Sequence, residues 1–117
     1  MKALLMALAI MAAAHIQFDK TVHDFGTIKE SDGPQTCCFT LKNTGEEPVT
    51  ILTVITSCGC TNAKWTKESI PQGGSGTINV TFTNNDGPYP FDKTLTVYTT
   101  DTKKPTILHI KGNVTKK

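Results

Sequence analysis

Apolar and polar residues alternate through this chain with a period of two, and turn-forming residues break the pattern at short intervals. In Cys37-Cys38-Phe39-Thr40-Leu41 the odd positions point one way, and Cys38 and Thr40 the other. In Ile78-Asn79-Val80-Thr81-Phe82 the even positions form the apolar face. Leu95 and Val97 alternate with Thr94, Thr96 and Tyr98, and Leu108, Ile110 and Val114 share a face with Gly112. Successive strand side chains point to opposite sides, so this pattern describes antiparallel sheets with one dry face and one wet one. Twenty residues are threonine, and Val, Ile, Phe and Tyr fill much of the remainder. Branched side chains pack well on a pleated surface and crowd a helix, so composition points the same way.

Glycine, proline and Asx residues supply the breaks at Ser31-Asp32-Gly33-Pro34, Asn43-Thr44-Gly45, Gly73-Gly74-Ser75-Gly76, Asn84-Asn85-Asp86-Gly87-Pro88 and Asp101 to Pro105. No segment after Ala14 shows a helical period. The expected fold is all-β: an immunoglobulin-like antiparallel sandwich of two sheets and about seven strands.

Residues 1–14 have the layout of an export signal, with Lys2, an apolar run from Ala3 to Met11, and Ala12-Ala13-Ala14 as a cleavage site. Cleavage after Ala14 would leave residues 15–117 as one exported domain, periplasmic or extracellular. The apolar run is shorter than the roughly 20 residues a spanning helix needs, so no transmembrane span is expected in the mature chain. Net charge is only +2, and every basic side chain is lysine. Without the arginine fork or a concentrated positive patch, nucleic-acid binding is not expected.

Chemistry is concentrated in Ser57-Cys58-Gly59-Cys60-Thr61, directly after the strand-like run Thr50 to Thr56. The chain has four cysteines, Cys37, Cys38, Cys58 and Cys60. In an oxidising compartment these are disulfide candidates. Neighbours Cys37 and Cys38 point to opposite faces of a strand and do not suit each other. A Cys58–Cys60 bridge is possible but tight, and a bridge from Cys37 to Cys58 or Cys60 would close a loop of about 20 residues, worth near 3 kcal/mol by chain entropy. The expected pairing is therefore Cys37 with one of Cys58 and Cys60.

The rival reading of Cys58 and Cys60 is a thiol site for copper or for redox exchange, since soft sulfur selects Cu(I). Zinc commonly wants four ligands and a longer cysteine spacing. His15 would become the first residue after cleavage, so its amine and imidazole are a further copper candidate, with His23 and His109 as possible companions. Trp65, the only tryptophan, is either an exposed interaction anchor or a core residue covering the Cys58/Cys60 corner.

Hydrolase signatures are missing. Gly73-Gly74-Ser75-Gly76-Thr77 is not a nucleophile elbow, and the neighbours His23 and Asp24 face opposite ways in a strand.

Several stretches carry a resemblance: Asp24-Phe25-Gly26-Thr27-Ile28, Phe39-Thr40-Leu41-Lys42-Asn43-Thr44-Gly45, Ser57-Cys58-Gly59-Cys60-Thr61 and Pro90 to Tyr98. In this order they resemble bacterial domain-of-unknown-function family 1573, secreted proteins frequent in Bacteroidetes. The resemblance implies an immunoglobulin-like sandwich, akin to the domains of major sperm protein and of cilia and centrosome proteins. It implies no established activity. Cys38 departs from the polar residue usual at that position.

The reading that follows is a non-catalytic, exported, immunoglobulin-like binding or structural module of the cell envelope. It has no cofactor and an unidentified protein partner. The alternative is a thiol-based copper or redox protein using Cys58 and Cys60. Mass spectrometry of the protein from its own envelope should show a chain beginning at His15, whereas an intact Met1 would remove the export signal from this reading.

Overall fold

The computed structural model describes residues 15–116; the expected export signal, residues 1–14, lies outside the described residues. Eight strands follow one another: β1 Ile16–Phe18, β2 Val22–Lys29, β3 Gln35–Asn43, β4 Ile51–Thr56, β5 Thr61–Trp65, β6 Ser75–Phe82, β7 Pro90–Thr99 and β8 Thr106–Thr115. A single 3-10 turn, Glu30–Asp32, separates β2 from β3. The strands form two four-stranded sheets, ordered β1-β3-β6-β5 and β2-β8-β7-β4.

The alternation read from the sequence sets which side of each sheet is dry. Phe39 and Leu41 on β3 and Ile78, Val80 and Phe82 on β6 face inward from the first sheet. Leu95 and Val97 on β7 and Leu108, Ile110 and Val114 on β8 meet them from the second. All of these are at most 4 % exposed. Each such side chain contributes about 1.5–3 kcal/mol by leaving water, which is what holds two otherwise separate sheets together. Phe82 and Phe91 stack across the seam with ring centroids 4.1 Å apart.

Two features differ from expectation. The described residues hold eight strands instead of about seven, because the short β1 adds to β3 through Ile16, Gln17 and Phe18. The pairing of β2 with β8 is parallel, so the second sheet is mixed. These strands come from opposite ends of the domain, and no tight hairpin forces them to run antiparallel. Their register shifts between Asp24 and Thr27, where Gly26 takes φ 73°. Opposite it, Gly112 fills a place no larger residue suits. A Cβ there would lie 2.9 Å from the Gly26 carbonyl oxygen and 3.0 Å from the Phe91 ring.

At the end of β3 the apolar row stops at a fully buried polar residue, Asn43. Its Nδ2 donates to the carbonyls of Glu47 (2.8 Å) and Ile70 (2.9 Å), and its Oδ1 accepts the Gly45 N–H at 3.0 Å. Its main chain pairs with Gly73 and Gly74. One side chain thus ties the β3–β4 connection to the β5–β6 connection, beside the isolated Val49–Ile70 bridge. Replacing it removes three hydrogen bonds, although the Ile70 carbonyl keeps the Val49 N–H and the Gly45 N–H keeps the His15 carbonyl, so the Glu47 carbonyl is the group left to water. Asn43→Ala should lower stability by about 1–3 kcal/mol in urea melts. A loss below about 1 kcal/mol would show that water and the remaining partners replace these bonds.

Candidate functional site

The chain crosses from the second sheet to the first between β4 and β5, and Cys58-Gly59-Cys60 makes the crossing. Backbone and hydroxyl hydrogen bonds hold the turn on each side. The Ser57 N–H donates to the Thr94 carbonyl (3.0 Å), and the Thr94 N–H donates to Ser57 Oγ (3.0 Å). The Thr61 N–H donates to the Cys58 carbonyl (3.1 Å), and the Thr83 N–H to that of Cys60 (2.9 Å). Within the turn, Cys58 and Cys60 are joined as a disulfide. Cys60 is buried and Cys58 half-buried, while Gly59 is exposed, with no atom outside its two chain neighbours within 4 Å of where a Cβ would stand.

The expected bridge from Cys37 is not formed: Cys37 and Cys38 are both free thiols. The register explains why. Cys37 pairs with Val80 on β6, and Val80 with Ala63 on β5, so β6 separates Cys37 from the β5 strand. Cys60 also lies beyond the start of β5, which pairs Thr61 with Phe82. Two strand spacings and about three residues of rise leave roughly 10 Å to cover in each direction. A disulfide tolerates Cα atoms less than about 7 Å apart. Cys37 instead faces the core, and burial pushes its thiol up to about 11, against a smaller opposing influence of Lys20. Cys38 is exposed on the outer face.

The loop from β6 to β7 packs beside the disulfide turn and brings Asp86 to it. Sulfurs of Cys58 and Cys60 and a carboxylate oxygen of Asp86 lie within 4.8 Å of one another. Among the described residues this is the one cluster of three potential metal ligands. Tyr89 donates its hydroxyl to Asp86 Oδ2 at 3.0 Å. Asn84 anchors the same loop, with φ 58° and its Nδ2 shared between the carbonyls of Lys29 and Gly33, both at 3.0 Å. Asp86 was legible only as part of a turn, because nothing local pairs it with residues 26 and 28 positions earlier.

The three histidines do not join this cluster. The His15 carbonyl accepts the N–H groups of Thr44 and Gly45, and its side chain lines a cleft with Glu47, Val49 and Asp101. His23 Nδ1 accepts from Lys20 Nζ at 3.0 Å, and its pKa is lowered by burial and by the Lys20 charge. His109 Nδ1 lies 2.8 Å from Asp92 Oδ1 on the outer face of the second sheet. Trp65 sits at the far end of β5 from the disulfide, partly buried against the core, with Lys67 Nζ 3.7 Å from its ring centroid. It packs against the edge of the core and does not cover the cysteine corner.

The sheet edges offer a second kind of surface. β1 has three residues, β2 carries a register shift together with His23, Asp24 and Lys29, and β5 carries Lys64. Short, irregular or charged edges resist pairing with another chain. β4 is different: Ile51-Leu52-Thr53-Val54-Ile55-Thr56 has no charge, glycine or proline. Its only irregularity is a register shift between Ile51 and Thr53. Leu52 is 60 % exposed and Ile55 54 %. Ile55, Thr96 and Ile107 lie side by side across β4, β7 and β8, so an apolar strip runs inward from that edge.

With the fold and these surfaces described, the class is that of an immunoglobulin-like β-sandwich domain. Residues 16–114 match the family described as "Protein of unknown function (DUF1573)", and the chain belongs to that family. Among solved structures it is similar to a protein of unknown function from Porphyromonas gingivalis, with 18 % identity and a TM-score of 0.73. That match covers 87 % of this chain and 48 % of the other, so the chain spans about half the length of that protein. The ASH/PapD-like domain of human CEP192 matches with 12 % identity and a TM-score of 0.67, covering 88 % of this chain and 87 % of that one. The YadV chaperone matches with 16 % identity and a TM-score of 0.58, covering 88 % and 52 %. At these identities the likeness is one of fold. The sequence matches no curated protein.

The two free thiols should react very differently. In the native protein at pH 8, an alkylating reagent should label exposed Cys38 faster than half-buried Cys37, and unfolding should speed labelling of Cys37, because thiolate is the reactive form and burial suppresses it there. Equal rates at both sites by peptide mapping would contradict the inward placement of Cys37.

Proposed function

We propose that this chain is a non-catalytic, exported module of the bacterial cell envelope that binds an extended segment of a partner protein along β4. The uncharged edge carries this reading: six uncharged residues with exposed Leu52 and Ile55, on a molecule whose other edges are short or charged. A partner strand laid antiparallel against β4 would pair with its outer main chain. Apolar side chains on alternate positions would extend the Ile55–Thr96–Ile107 strip. The likeness to a chaperone and to a PapD-like domain supports a role in protein contacts. The signal-like residues 1–14 support export.

Photo-crosslinking in the native cell tests the reading. A crosslinker at position 55 should give discrete protein adducts, and one at position 79, on the exposed face of β6, should not. The same adducts from both positions, or none from position 55, would overturn it.

A further inference from the structure

We propose that cleavage of the Cys58–Cys60 disulfide by a dithiol turns this corner into a binding site for a zinc-type divalent cation, with Cys58 Sγ, Cys60 Sγ and an Asp86 carboxylate oxygen as ligands. The site is separate from the β4 edge, and neither reading depends on the other.

The donor set is already assembled from two parts of the chain. The crossover turn supplies both sulfurs and the β6–β7 loop supplies the oxygen, all within 4.8 Å. Ligands on a tetrahedral zinc, with Zn–S about 2.3 Å and Zn–O about 2.1 Å, stand roughly 3.5–3.8 Å from one another. Once the S–S bond is broken the sulfurs must part to that spacing. Gly59 between them is exposed, and apart from its two chain neighbours no atom lies within 4 Å of where a Cβ would stand, so nothing outside the turn crowds that side of it.

Groups that orient such ligands are also in place. The Cys60 N–H donates to Cys58 Sγ at 3.1 Å, and Thr61 Oγ1 lies 3.7 Å from Cys60 Sγ. Hydrogen bonds to sulfur stabilise a thiolate, and the Tyr89 hydroxyl fixes Asp86 in the same way. A metal site needs such outer support as well as its ligands.

The chemistry balances without further components. The dithiol gives two electrons and two protons to the disulfide and becomes a disulfide itself, leaving two protein thiols. On binding, each thiol gives its proton to water as a metal–sulfur bond forms, and the carboxylate binds without losing a proton. The third ligand decides the metal. Cu(I) is selected by sulfur donors, whereas a carboxylate oxygen beside two thiolates suits the borderline Zn²⁺. Cys37 and Cys38 add nothing, since the register holds them away from the corner.

The test uses the full chain carrying Cys38→Ser, titrated with Co²⁺ before and after reduction with a phosphine. The reduced protein should bind one Co²⁺ with a sulfur-to-cobalt charge-transfer band, and Zn²⁺ should abolish the band. The oxidised protein should show none. Asp86→Asn should weaken binding at least tenfold, and Cys58→Ser should remove the band. Zinc should raise the melting temperature of the reduced protein and leave that of the oxidised one unchanged, a comparison that needs no further variant. A reduced protein without the band, or a band that survives Cys58→Ser, would overturn the site. Unchanged affinity in Asp86→Asn would overturn the carboxylate ligand and the preference for zinc.

Discussion

Everything in this domain depends on the dry seam between the two sheets, where Phe82 of β6 stacks on Phe91 of β7. No hydrogen bond of either ladder joins one sheet to the other, so burial of the facing rows must do it. Where the seam runs out, its ends are closed by polar devices. Asn43 satisfies two connecting loops at one place, and Asn84 pins the β6–β7 loop to the backbone around the 3-10 turn. Both are buried amides whose donors are used up on backbone carbonyls.

The same seam decides where function can sit. With both inner faces filled, the positions left for contact are outer faces, edges and the loops at the two ends. Three of the edges are short or charged, and β4 is neither. The disulfide turn follows β4 directly, so the open edge and the thiol corner are neighbours along the chain. They remain chemically distinct: one offers main-chain groups and apolar side chains, the other sulfur and a carboxylate.

Much of this was legible beforehand. Inward placement of Phe39, Leu41, Ile78, Val80, Leu95 and Leu108 follows from a period of two, because a strand has only two faces. Turns at Gly33, Gly73 and Gly87 follow from positive φ, which glycine adopts at little cost. The cysteine pairing was not legible. Loop length and the inward face both favoured Cys37 as a partner, and neither reveals that β6 lies between it and the turn.

The sequence by itself determined the class of fold, the dry rows and the place of the cysteine turn, because these rest on local backbone preference and on alternation. Tertiary structure alone decided the parallel union of β2 with β8, the exposure of Leu52 and Ile55 on an edge, and the approach of Asp86 to Cys58 and Cys60. Each of these is a meeting of segments far apart in the chain or a matter of which strand ends a sheet. Such choices are made by the packing of the whole domain, and no local pattern of residues encodes them.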